Sequence, residues 1–167
     1  MFQEKDEMRN ALALTGAGLA TWKVAIRTSF DKKIYQYASL YKLNPALVKA
    51  IIKVESSFRP GVHRDEPKIK DTSYGLMQIL YKTAGSMGFL GSPDPELYDI
   101  DINLNYGCKY LRYLSDKYDK LDDIIVSYNA GKPKYFKSGK YINQAYLEKV
   151  KYYYWLYIID AIIPFAI

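Results

Sequence analysis

Four stretches of this sequence repeat their apolar residues at the spacing of an α-helix, and few segments alternate at the two-residue spacing of a strand. The first opens with Asn44-Pro45, an N-cap residue followed by a proline at the first helical position. Leu47, Val48, Ile51, Ile52 and Val54 then recur at helical spacing as far as Phe58, and Arg59-Pro60-Gly61 stops the run. Between Asn103 and Tyr118, the residues Leu104, Cys108, Leu111 and Leu114 form a second stripe. Leu121 to Asn129 reads as a short helix ended by Gly131, and Tyr141 to Ile159 as a last, longer one. Residues 61–73 are polar and carry Pro67, so a loop is expected there, with a short helix over 74–86. The fold class that follows is mainly α.

At 167 residues, the chain has the length of one domain. Its 49% hydrophobic residues are enough to bury a core. One cysteine, Cys108, excludes an internal disulfide, and one histidine, His63, excludes a His-rich metal site. Chemistry therefore has to rest on carboxylates, amides and phenols. No cofactor and no metal are expected. The formal charge is +6, and residues 132–151 hold six lysines against one acid, Glu148. Such a surface attracts anionic polymers, peptidoglycan with its peptide carboxylates among them. No nucleic-acid-binding motif accompanies the charge, so no specific nucleic-acid partner is expected.

Both ends are apolar. Residues 11–22 (ALALTGAGLATW) have the length of a signal-peptide core, but the ten residues before them hold three acids and two bases. No convincing cleavable signal results. Residues 1–33 are read as a helical N-terminal extension, 34–158 as the folded domain, and 159–167 as an apolar tail. The apolar ends offer contact with a membrane surface, and a monomer is expected.

Glu55 is the most informative single position. It follows Ile51 by four residues and Val48 by seven, so it shares their helical face. Near a helix C-terminus on an apolar stripe, desolvation and the helix dipole both favour the neutral acid. A carboxyl kept protonated near neutral pH in this way is a proton donor; the difference from a free Glu corresponds to about 2–3 kcal/mol. Alternatively the head snorkels to solvent past Ser56 and Ser57. Beyond it, Gly75 permits close approach of another backbone or a ligand, Met77 is an adaptable apolar wall, and Gln78 can both donate and accept.

Glu55-Ser56-Ser57-Phe58-Arg59-Pro60, Ser73-x-Gly75-Leu76-Met77-Gln78-Ile79, Tyr128-Asn129-Ala130-Gly131 and Tyr146-x-x-x-Val150 occur in this order. Together they resemble the catalytic domain of the soluble lytic transglycosylases, the SLT or goose-type-lysozyme-like family, over about residues 34–157. The resemblance implies a lysozyme-like helical domain with a substrate groove. It implies cleavage of the β-1,4 bond between N-acetylmuramic acid and N-acetylglucosamine in peptidoglycan glycan strands. One glutamate, Glu55 by position, would act as acid and then as base, giving a 1,6-anhydromuramoyl product. Ser73, Gly75, Met77, Gln78, Tyr128, Asn129 and Tyr146 would bind substrate or tune the acid. Action at the peptidoglycan layer, in the periplasm or cell wall or delivered by a virion, follows from the same resemblance.

The alternatives are a goose-type muramidase of the same fold, and a non-catalytic wall-binding or assembly protein. A two-carboxylate hydrolase would need a second acid; Asp65, Glu66 and Asp71 are nearby and read as solvated loop charges. The charged run HRDEPKIKD departs from the small polar residues usual in such domains, and Ser127 stands where many members have Ala. His63 is read as a loop residue without a role.

Overall fold

A computed structural model describes residues 28–162. The apolar run 11–22 and residues 163–167 lie outside them. The elements run α1 (Asp31–Leu40), α2 (Pro45–Ser56), β1 (His63–Glu66), β2 (Asp71–Tyr74), β3 (Ile79–Leu80), α3 (Tyr81–Ser86), a 3-10 turn (Glu96–Tyr98), α4 (Ile100–Lys117), α5 (Leu121–Ala130) and α6 (Gln144–Ile162). The domain limits expected at 33/34 and 158/159 both fall inside helices, α1 and α6.

The helices begin and end where local chemistry directs. Asn44 Oδ1 accepts from the Ala46 backbone N–H at 2.9 Å, and Pro45 occupies the first turn of α2. Ser57 closes α2 in the left-handed region, at φ 52°. Asp99 caps α4 by accepting from the N–H groups of Asp101 and Ile102 at 2.9 and 3.0 Å. Gly131, at φ 76°, ends α5, and its N–H returns to the Ser127 carbonyl at 2.7 Å. Each cap satisfies backbone groups that a helix end leaves unpaired.

The apolar stripes meet in one core. Leu47, Val48, Ile51 and Ile52 of α2 are buried with Leu104, Cys108, Leu111 and Leu114 of α4, and with Ile125, Leu147 and Val150 from α5 and α6. Cys108 is the small buried apolar group expected; desolvation pushes its thiol up to about 12. Ile34 and Ala38 bring α1 onto the same core, and the buried Lys49 ties the start of that helix to α2 through Asp31 at 2.8 Å.

The sheet corrects the expectation for residues 61–86. In place of a loop over 61–73, β1, β2 and β3 form a three-stranded antiparallel sheet with a tight turn at 75–78, and the short helix expected over 74–86 is confined to α3, Tyr81–Ser86. The register pairs His63 with Tyr74, Arg64 with Ser73 and Glu66 with Asp71; Ser73 in turn pairs with Leu80. His63 is therefore a strand residue, with its Nδ1 2.9 Å from Tyr98 Oη. Fully buried Asn103 of α4 fastens this sheet to the helices. Its Oδ1 accepts from Met77 N–H at 2.8 Å, and its Nδ2 donates to the Tyr74 and Leu97 carbonyls at 2.7 and 2.8 Å.

Candidate active site

The last turn of α2 delivers Glu55 to the floor of a groove of about 510 Å³. The sheet forms one wall, with Arg64, Glu66, Ser73 and Gln78; the end of α5 and the following loop form the other, with Tyr128, Asn129, Gly131 and Lys134. Glu55 is half-buried. Tyr146 Oη, from α6, donates to Glu55 Oε1 at 2.6 Å. Oε2 has no hydrogen-bond partner among the described residues and is not sealed from the groove.

This placement raises the carboxyl pKa from 4.5 to about 7. Burial is the main cause. The Tyr146 hydrogen bond and the Arg64 charge pull the value down, and the Glu66 charge pushes it up. The phenols of Tyr146 and Tyr128 are held well above their ordinary range, first by burial and then by the Glu55 carboxylate, so both remain hydrogen-bond donors. An acid that titrates near neutrality can give a proton and later take one back.

Of the residues singled out in the sequence, Glu55, Ser73, Gln78, Tyr128 and Asn129 line the groove, and Tyr146 reaches it through Glu55. Gln78 is committed internally. Its Nε2 donates to the Val62 and Gly75 carbonyls at 3.0 and 2.9 Å, and its Oε1 accepts from Ser73 Oγ at 3.0 Å. Tyr128 Oη donates to the Met77 carbonyl at 3.0 Å. Asn129 is exposed, with Oδ1 accepting from Asn143 Nδ2 at 3.1 Å.

Gly75 and Met77 are not groove-lining residues. Gly75, at φ 71°, lies so close to Asn103 that a Cβ there would stand 2.3 Å from its Nδ2 and 2.7 Å from the Leu97 carbonyl. Its close approach is to protein, not to ligand. Met77 is fully buried, with its side chain over Gly107 and its sulfur 4.0 Å from Cys108 Sγ.

Arg64, Glu66, Ile69, Tyr110 and Lys134 line the groove without having been assigned to it from the sequence. Glu66 thus differs from the solvated loop charge expected. The available signal was the two-residue alternation of Arg64 and Glu66 across a Pro-Lys-Ile-Lys turn from Ser73, which places all three on one face of a hairpin.

Residues 32–151 match the family described as Transglycosylase SLT domain. Membrane-bound lytic murein transglycosylase C of Photorhabdus laumondii is 30% identical over 148 residues, covering 73% of this chain and 40% of that protein. Membrane-bound lytic murein transglycosylase E of Buchnera aphidicola is 32% identical over 126 residues, covering 68% of this chain and 51% of that protein. The chain thus spans about half or less of the length of these two relatives. Among solved structures, the 70 kDa soluble lytic transglycosylase of Escherichia coli superposes with a TM-score of 0.63 at 22% identity, over 80% of this chain and 25% of that one. An inactive glutamate-to-glutamine mutant of the lytic transglycosylase Slt from Pseudomonas aeruginosa also gives 0.63, at 19% identity over 81% of this chain and 25% of that one. The fold is therefore the mainly helical, lysozyme-like one expected. With its matched segment running from α1 into α6, the chain belongs to the transglycosylase SLT domain family.

Proposed function

We propose that this chain is a lytic transglycosylase that cleaves the MurNAc-β-1,4-GlcNAc bond of peptidoglycan, with Glu55 as its acid and then its base. The observation that carries this reading is a half-buried carboxyl held by Tyr146 at 2.6 Å and open to a groove, an environment that raises its pKa to about 7. Family membership and the names of the relatives, lytic murein transglycosylases, support the substrate class.

Protonated Glu55 gives its proton to the glycosidic oxygen. The bond from that oxygen to C1 breaks, and its electron pair stays with the departing sugar. The 2-acetamido oxygen of the muramoyl residue supports the positive charge that develops at C1. The Glu55 carboxylate then takes the proton of the C6 hydroxyl, whose oxygen bonds to C1. The acid is restored, and one 1,6-anhydro end is formed with no net water. Asn129, exposed on the groove wall, hydrogen-bonds the acetamido group in this reading, and Ser73 and Gln78 hold the wall in shape through their mutual hydrogen bond. This activity belongs at the peptidoglycan layer.

Glu66 in the groove wall favours one second reading, hydrolysis of the same bond by water oriented on a second carboxylate. Digestion of purified peptidoglycan separates the two, because anhydro ends are lighter than reducing ends by one water. Anhydro products from the wild type, with about 10²-fold less turnover in Glu55→Gln, are expected. Glu55→Gln with undiminished lytic activity would overturn the assignment, and reducing ends would establish the hydrolase.

A further inference from the structure

From the charged stretch HRDEPKIKD, Arg64, Glu66 and Ile69 lie in the groove wall. On the β1–β2 hairpin, Arg64 and Glu66 share the face of Ser73 and line the groove that holds Glu55. Arg64 Nε donates to Glu66 Oε1 at 2.6 Å. That bond fixes the plane of the guanidinium, and its two terminal nitrogens have no partner among the described residues. Lys134 stands in the same groove on the loop after α5, exposed, with no ion-pair partner for its ammonium among the described residues.

With Glu55 protonated, the groove lining carries two cations and one anion, and that anion is already tied to Arg64. An excess positive charge between walls draws anions, and a guanidinium fork with both ends unspent fits a carboxylate in particular. The glycan backbone itself is uncharged. In peptidoglycan the carboxylates sit on the peptide stems, which branch from the muramoyl lactyl group next to the bond to be cut.

We propose that Arg64 and Lys134 form a specificity site for the carboxylates of the peptide stem, with Glu66 as the positioning residue that orients Arg64. The groove then favours stem-bearing anionic strands over neutral ones. This rests on the transglycosylase reading, and the test keeps the two apart.

The substrates are synthetic (GlcNAc–MurNAc)₂ strands with tetrapeptide stems, in one series with free stem carboxylates and in the other with every stem carboxylate converted to a primary amide. The readout is the ratio of kcat/KM for the free series to that for the amidated series. We expect a ratio of about ten in the wild type, falling as salt is raised. It should drop about threefold or more in Arg64→Gln and in Lys134→Gln, and recover in part in Arg64→Lys, which keeps the charge but loses the fork. A ratio shields the result from changes in Glu55 acidity, which act on both series alike. A wild-type ratio near one, or a ratio that both glutamine variants leave unchanged, overturns the proposal while the transglycosylase reading stands. A wild type that cleaves neither series overturns that reading and this site with it. Lys134→Gln, on an exposed loop, keeps the test decisive should Arg64→Gln fail to fold.

Discussion

Tyr146 Oη donates to Glu55 Oε1 at 2.6 Å, joining α6 to the last turn of α2 across most of the folded segment. A hydrogen bond to the carboxylate stabilises the charged form, so this one holds the Glu55 pKa below the value burial alone would set. Tyr146→Phe removes it. The pKa then rises, the acid keeps its proton to higher pH, and the alkaline limb of the pH–rate profile moves up by about half to one pH unit. Maximal turnover falls about tenfold, because the carboxyl is no longer held in one orientation. A limb that moves down or stays in place would show that the hydrogen bond does not govern the acid.

The raised pKa also makes stability depend on pH. Between 4.5, the ordinary value, and about 7, the value in the fold, the native state binds more protons than the unfolded chain. Stability therefore falls as pH rises through this window, and the whole penalty is present above about pH 7. At full value it amounts to about 3 kcal/mol, and partial exposure reduces it. Glu55→Gln carries no charge, so it should match the wild type at pH 4 and exceed it by about 1–3 kcal/mol at pH 8. Urea denaturation at the two pH values checks this, and an equal difference at both would rule out the titration of Glu55 as its source.

The helices were legible because burial imposes its period on the sequence. The Leu104–Leu114 stripe and the Val48–Ile52 stripe lie in the core as expected. α1 escaped separate notice because only Ile34 and Ala38 of its ten residues are buried, too few to stand out among charges and tyrosines. The hairpin escaped for a related reason. His63–Glu66 is polar on both faces, and its strand geometry comes from backbone bonds to β2, not from an apolar face. In the candidate site, Glu55 and Tyr146 were found through local motifs. Arg64, Glu66 and Lys134 were not assigned to it, because only the closing of the hairpin and of the loop after α5 brings them to one groove.

Gly75 illustrates a motif residue whose role is packing. Its φ of 71° disfavours any side chain, and a Cβ would meet Asn103 and the Leu97 carbonyl, one a fully bonded buried amide and the other backbone. Gly75→Ala should thus displace Asn103 from its three hydrogen bonds and cost about 2–4 kcal/mol of stability. Its expected signature is a lower denaturation midpoint. A loss below about 1 kcal/mol would show that the turn relaxes around the methyl group.

Ser127 presents the opposite case, a polar atom the fold does not use. It lies fully buried on α5, and its Oγ is the one buried side-chain oxygen or nitrogen without a hydrogen-bond partner among the described residues. Its backbone carbonyl, in contrast, accepts from Gly131 N–H and Tyr110 Oη, at 2.7 and 3.4 Å. Ser127→Ala removes the orphan hydroxyl, keeps those carbonyl bonds and improves the helix propensity of the position. We expect a gain of about 1 kcal/mol, or roughly 2–4 °C in Tm, with lytic turnover unchanged. Because the side chain does not line the groove and its hydroxyl makes no hydrogen bond to Glu55, a stability gain accompanied by lost activity would mean that α5 transmits its packing to the groove. A stability loss would mean that an ordered water already satisfies the hydroxyl.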